Sequence, residues 1–292
     1  IWEDNLLKYR VITALILIPI VIAALFLLPP AGFGLVIIAI SGLAGWEWAQ
    51  FIGWHSQGKR IATGVGFAAL LVLMQASLPD FDHLLDTAMI KNSLWAGLFW
   101  WVAAILLVVS YPNSANMWKN SVLLKLLFGI LTIVPFYCGM MALRMLGYST
   151  NSYTGAWWLL YVMLLVWAAD SGAYAFGRLM GKHKMAPKVS PGKTLEGLVG
   201  GLITAGVVSW LFTRFAPITE VPNHLLLISG IVVIVSVFGD LAESMFKRVS
   251  GIKDSSQLIP GHGGVLDRID SLTAAIPVFA GLVFLVSSGF QM

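Results

Sequence analysis

The feature that most limits what this chain can fold into is a succession of apolar runs separated by short polar breaks. Several runs reach the roughly 18 to 20 residues needed to cross a bilayer core about 30 Å thick. Nine spans are predicted, near residues 11–28, 31–51, 61–78, 93–110, 122–147, 155–177, 194–213, 224–246 and 271–289. Pro29-Pro30, His55 to Lys59, Pro79 to Lys91, Tyr111 to Lys119 and Gly147 to Tyr153 supply breaks rich in turn formers. The expected fold is an all-α, polytopic integral membrane protein. Charged residues are 11% of the chain and apolar ones 58%. A soluble domain carries about 25% charge, so that class is excluded. Twelve tryptophans suit interfacial belts, and the single cysteine, Cys138, rules out an internal disulfide. No long-period repeat is visible. Lys8 and Arg10 precede the first run as in a signal peptide. That run is long, however, Pro29-Pro30 makes a poor cleavage site and eight spans follow, so a retained helix is expected. No function is placed on the first few residues.

Orientation follows from the basic residues. With the N-terminus cytoplasmic and the spans alternating, fifteen of the eighteen Lys and Arg fall inside. Only Lys91, Arg144 and Arg214 fall outside, together with Asp80, Asp82, Asp86 and Glu220, as the positive-inside rule requires. An N-in, C-out arrangement is expected. The pI of 9.2 is then a topology signal, secondarily an attraction for anionic headgroups or phosphates, and no nucleic-acid partner is expected.

Ionisable groups inside spans cost about 2.5–3.5 kcal/mol at a helix centre and are functional suspects. Asp170 lies at the inner end of the sixth span and Glu196 one turn into the seventh. Asp240 and Glu243 lie at the inner end of the eighth, and Asp267 and Asp270 lead into the ninth. The topology brings all six to one membrane face. The 27 residues from Ser244 to Asp270 crowd charges around a glycine-bracketed His262, where Gly261, Gly263 and Gly264 let backbone approach a ligand. Asp240, Ser244 and Lys247 are spaced i, i+4, i+7 and share one helix face, with Glu243 beside it. Asp267 is positioned to fold back towards Asp240. Two carboxylates without a His or Cys cluster suit Mg²⁺, which keeps waters and accepts substrate phosphates. Lys and Arg nearby match the remaining phosphate oxygens. The plainer alternative is a set of helix-end ion pairs and snorkelling cations. Glu47, between Trp46 and Trp48 at the inner end of the second span, reads as an interfacial anchor.

A second polar stretch runs from Gly181 to Glu196. Gly192-Lys193-Thr194 matches the tail of a P-loop, but Pro187 stands where its first glycine belongs and no strand is expected before it. What remains is Lys182, Lys184, Lys188 and Lys193, a Ser190-Pro191-Gly192 turn and a helix N-terminus able to hold an anion. An ordinary positive-inside loop is the alternative.

The residues Ser244-x-Phe246-Lys247-Arg248-x4-Lys253-Asp254-x-Ser256-x2-Ile259-Pro260-x-His262-Gly263-Gly264-Val265-x-Asp267-Arg268-Ile269-Asp270 resemble the signature of the phosphatidate cytidylyltransferase (CDP-diacylglycerol synthase) family of bacterial type. Leu165 to Tyr174, Gly181 to Lys184, Ser190 to Thr194 and Gly239-Asp240-Leu241 extend the resemblance over most of the C-terminal half. Leu7 to Arg10 and the span pattern carry it more loosely through the rest.

That resemblance implies a reaction in which CTP and phosphatidate give CDP-diacylglycerol and pyrophosphate with Mg²⁺, with room for a second cation. It implies metal ligation by Asp240 and Asp267, with Lys247 and Arg248 joining them in catalysis. It implies substrate binding by Ser244, Lys253, Asp254, His262, Gly263, Gly264, Arg268 and Asp270, with Asp170, Lys184, Lys188, Ser190, Lys193, Thr194 and Glu196 completing the pocket. His262 is expected to bind or shape the loop rather than act as a base. Residues 1–147 are expected to be scaffold and 148–292 catalytic, in one membrane unit at the cytoplasmic face of the inner membrane. The resemblance implies a homodimer, and Gly197-x3-Gly201 would permit close helix contact, a weak motif alone. A CTP-dependent kinase of a lipid alcohol is the alternative within enzymes. An ion-coupled transporter is disfavoured, because its site would lie near the midplane of repeated halves.

Overall fold

Helices follow the apolar runs, and their ends follow local chemistry. The computed structural model describes residues 2–78, 84, 87–218, 221–222, 224–259, 261 and 263–286, with backbone alone for residues 2–14 and 286. Asp80, Asp82, Asp86, Glu220 and His262 lie outside the described residues, as do the side chains of Lys8 and Arg10. The order is α1 Trp2–Leu27, α2 Pro30–Ile52, α3 Gln57–Ala76, α4 Ala88–Val109, the single turn α5 Ala115–Trp118, α6 Val122–Met145 and α7 Thr154–Met180. A hairpin of β1 Lys184–Ala186 and β2 Ser190–Thr194 follows, then α8 Leu195–Phe215, α9 Leu225–Ser250 and α10 Leu266–Gly281, which ends in a π turn. Pro30 opens α2 where a missing N–H costs nothing. Ser121 and Thr194 cap α6 and α8 by accepting from Leu124 N and Gly197 N at 3.2 and 3.1 Å. Gly251, at φ 69°, ends α9.

Among the described residues, eight helices are long and apolar enough to cross a membrane. They are α2, α3, α4, α6, α7, α8, α9 and α10; the described apolar part of α1 is Leu15–Leu27. The surface agrees with lipid as solvent. Val199, Ile203, Val207 and Trp210 form one stripe on α8 and are each 52–56% exposed, which water would penalise.

The interior gathers around α6, α9 and α10. Phe246 of α9 meets Trp48 of α2 and Trp118 of α5 with ring centroids 5.1 and 5.2 Å apart. Such fit, rather than exclusion of water, holds helices together in hydrocarbon. α7 and α8 lie closest where glycine removes the side chain. A Cβ on Gly197 or Gly201 would stand 2.8 Å from the carbonyl oxygen of Ala173 or Ala169. The Gly197-x3-Gly201 contact is thus made within one chain, against α7.

Two local features differ from the sequence expectation. The Gly181–Thr194 stretch is not plain loop but an antiparallel pair, with Lys184 opposite Thr194 and Ala186 opposite Ser190. Pro187 and Pro191 bar a helix there, and a two-stranded edge tolerates them. The last helix begins at Leu266 rather than 271, which puts Asp267 and Asp270 on its first turns.

Candidate active site

Three helices and the hairpin bring one connected set of charges together. Asp240 lies on α9, 32% exposed, with its Oδ2 2.7 Å from Lys193 Nζ of β2. Lys193 also donates to Val237 O at 3.2 Å, so the hairpin is fastened to α9 through a single ammonium. Ser244, one turn on, donates to Asp240 Oδ1 at 3.3 Å. Asp170 of α7 is close enough to Lys193 and Asp240 to feel both charges. Asp270 of α10 feels Asp240 and Lys193 and lies beside Glu243. Gly239 makes this approach possible, since a Cβ there would stand 2.8 Å from Asp270 O.

The second half of the set centres on Lys247. Its Nζ lies 2.7 Å from Asp267 Oδ1 and 3.4 Å from Glu243 Oε2. The expected face of Asp240, Ser244 and Lys247 is therefore real, and Asp267 folds back onto its last member rather than its first. Glu243 is 4% exposed and lies between Lys247 and Asp270. Five carboxylates, Asp170, Asp240, Glu243, Asp267 and Asp270, thus face two ammonium groups, Lys193 and Lys247. Asp170 is exposed and Asp240 is 32% exposed, so this surplus of oxygen donors stands where cations from solution can reach it. Among the described residues, no three His, Cys, Asp or Glu side chains form a ready metal cage. Oxygen donors from a substrate or water would have to complete one.

The loop after α9 is held by two carboxylates. Asp267 Oδ2 accepts from Ser255 N at 2.9 Å, Ser255 Oγ at 2.9 Å and Gly264 N at 2.8 Å. Glu47 reaches the same loop from α2. Its Oε1 accepts from Ser256 Oγ at 2.5 Å and Val265 N at 2.9 Å, and its Oε2 from Leu266 N at 2.6 Å and Ser255 Oγ at 3.1 Å. Gln50 Nε2 donates to Ser255 O. Glu47 is 0% exposed, so it is no interfacial anchor but a buried clamp. It supplies acceptors to the unpaired first amides of α10, which explains the early start of that helix. Gly264 packs against Ser255 Oγ and the Glu47 carboxylate so closely that a Cβ has no room.

The remaining expected residues divide by what they touch. Arg248 Nε donates to Val189 O at 3.1 Å, a second tie between α9 and the hairpin. Thr194 is buried as the cap of α8. Glu196 turns away from the cluster and takes the N–H groups of Lys182 and His183 and, at 2.6 Å, His183 Nδ1. Ser190 lies on β2, with Lys184 and Lys188 exposed on the hairpin; Lys253, Asp254 and Arg268 are exposed around the loop. Gly263, at φ 82°, turns the chain before α10, and His262 lies outside the described residues. Glu47 and Ser255 are the functional candidates that sequence reasoning missed. The signal for Glu47 was an acid within an apolar span.

A model of the cytidylyltransferase family matches residues 8–286. A phosphatidate cytidylyltransferase of Haemophilus influenzae is 48% identical over 288 residues, covering 96% of this chain and all of that protein. One of Pseudomonas aeruginosa is 42% identical over 285 residues, covering 97% and 99% of the two chains. One of Staphylococcus haemolyticus is 38% identical over 232 residues, covering 73% and 86%.

Proposed function

The chain belongs to the cytidylyltransferase family, and from that premise we propose how its charged cluster carries out transfer from CTP to phosphatidate. The protein is a membrane-embedded CTP:phosphatidate cytidylyltransferase: CTP and phosphatidate become CDP-diacylglycerol and pyrophosphate. An oxygen of the phosphatidate phosphate bonds to the α-phosphorus of CTP as the bond from that phosphorus to the β-phosphate oxygen breaks. The nucleophile is already ionised at neutral pH, so no general base is needed. The work left to the chain is alignment and neutralisation of charge.

The observation that carries this reading is the set of carboxylates around Asp240 with Lys193 at 2.7 Å, reached by residues from four elements. Hard oxygen donors in excess of cations fit Mg²⁺, with Asp240 and Asp267 as the ligands and a second cation accommodated by the same excess. When bound, Mg²⁺ supplies charge neutralisation on the triphosphate and its pyrophosphate leaving group. Asp240 has one oxygen shared only with Ser244, while Asp267 is fully engaged by Lys247, Ser255 and Gly264. Asp267 therefore serves only by exchanging one of those donors.

Lys193 and Lys247 hold carboxylates that ligands can replace, and each then pairs with a phosphate oxygen. Arg248, Lys253, Arg268, Lys184 and Lys188 add positive charge around the phosphates. Ser244, Asp254, Asp270, Asp170 and Ser190 border the substrates, and His262, outside the described residues, keeps its expected substrate-binding role. Thr194 and Glu196 act by shaping the hairpin.

The site faces the cytoplasm, where CTP is available, in an N-in, C-out protein of the bacterial inner membrane. Its acyl substrate enters from the bilayer. Residues 1–147 are mainly support for a catalytic half at 148–292, with Glu47 as the exception, and the active form is a homodimer. The test is acceptor choice by purified protein in detergent. CDP-diacylglycerol from CTP and phosphatidate is expected. A phosphorylated polyprenol from CTP, with phosphatidate inert, would point to a lipid-alcohol kinase instead.

A further inference from the structure

The loop between α9 and α10 is held by more acceptors than its protons can serve. Ser255 Oγ lies 2.9 Å from Asp267 Oδ2 and 3.1 Å from Glu47 Oε2. A serine hydroxyl has one proton, so it donates to one carboxylate at a time. Ser255 is 0% exposed, which leaves no bulk water to serve the other. All other donors are committed. Glu47 keeps Ser256 Oγ, Val265 N and Leu266 N, and Asp267 keeps Lys247 Nζ, Ser255 N and Gly264 N. Turning the hydroxyl from one carboxylate to the other conserves the number of hydrogen bonds.

We propose that Glu47 is a positioning residue for cytidylyl transfer, acting through the Ser255 hydroxyl on Asp267. With Ser255 donating to Asp267, that carboxylate is bound to its own loop. With Ser255 donating to Glu47, Asp267 Oδ2 keeps two donors, Ser255 N and Gly264 N, instead of three, and the carboxylate carries more of its charge to the incoming ligand. Glu47 meanwhile holds the start of α10 through Val265 N and Leu266 N, so Asp267 changes partner without loss of the loop's conformation. The hydroxyl works as a two-position switch whose second position is supplied by α2, 208 residues away along the chain. This rests on the reading of Asp267 as a ligand-binding carboxylate.

The experiment uses full-length protein in detergent and the variants Glu47→Gln, Ser255→Ala, their combination and Asp267→Asn. In Glu47→Gln the amide presents N–H groups to donors, so one or more of its contacts is lost whichever way it turns. Loss of a hydrogen bond to a buried charge is worth about tenfold or more. The expected result is a KM for CTP raised about tenfold in Glu47→Gln, where the hydroxyl is left to Asp267, and not raised in Ser255→Ala, where that donor is gone, with kcat within about threefold of the parent in both. Glu47 acts on Asp267 only through that hydroxyl, so the combination is expected to match Ser255→Ala within about threefold. Amide hydrogen exchange without substrate is expected to quicken at Val265 and Leu266 in Glu47→Gln and to stay unchanged in α7. A lower kcat with unchanged KM means loss of folded enzyme and overturns the proposal, as does a combination whose KM stays at the Glu47→Gln value. If Asp267→Asn is inactive while Glu47→Gln retains parental kcat/KM, the positioning role alone fails. If Asp267→Asn is fully active, the underlying assignment of Asp267 fails, and the switch with it.

Discussion

At the scale of single residues, the site is defined by which oxygens and ammonium groups face one another. Lys193 is the clearest case, because its one ammonium joins β2 to both Asp240 and the Val237 carbonyl. Lys193→Ala is expected to raise the KM for CTP about tenfold or more, the cost of one charged hydrogen bond. Steady-state kinetics at saturating phosphatidate measures this, and an unchanged KM would remove Lys193 from the triphosphate site. Gly264→Ala tests the packing under the loop. Its new methyl has no space beside Ser255 and Glu47, so thermal unfolding is expected at a distinctly lower temperature, with a destabilisation of about 1–3 kcal/mol. The acids of this site were legible in sequence because charge within apolar spans is costly. Their partners were not, since Lys193 and Lys247 could be assigned to any of several carboxylates from spacing alone. Glu47 was misread for the same reason: its donors lie more than 200 residues further on.

At the scale of elements, the hairpin and α8 hold Lys193 against Asp240. The cap from Thr194 to Gly197 N joins the last residue of β2 to the first turn of α8. Thr194→Ala is expected to cost about 1 kcal/mol of stability. Activity is expected to fall further than that loss explains, because Lys193 is adjacent. Chemical denaturation and kinetics on the same preparation separate the two. Glycine contacts set the α7–α8 distance, and with it the approach of Asp170 to Lys193. Gly201→Leu is expected to part the helices and to lower activity at least tenfold, read beside helix content by circular dichroism. Helix positions were visible in the sequence through the apolar runs and turn formers. The hairpin was not, because five residues with two glycine or proline positions carry no alternation to read. The start of α10 was missed because the acceptors that cap it belong to α2.

At the scale of the whole molecule, the helices form one membrane-embedded body in which α7, α9, α10 and the hairpin gather the charges of the site. The orientation proposed for that site is open to direct labelling. In a Cys138→Ala background, Lys188→Cys is expected to react with an impermeant thiol reagent only when the cytoplasmic face is exposed, and Arg214→Cys only from the other side. The reverse pattern would invert the topology. The polytopic all-α class was written in the hydropathy of the chain, since bilayer thickness sets span length. The central claim, that Asp240 and Asp267 form the working pair of the active site, is tested most directly by the rate of Mg²⁺-dependent CDP-diacylglycerol synthesis. Purified parent protein, Asp240→Asn and Asp267→Asn are compared after each is shown to unfold at a similar temperature. Product is expected from the parent, with a loss of at least a hundredfold in each variant. Activity near the parental rate in either one would contradict it.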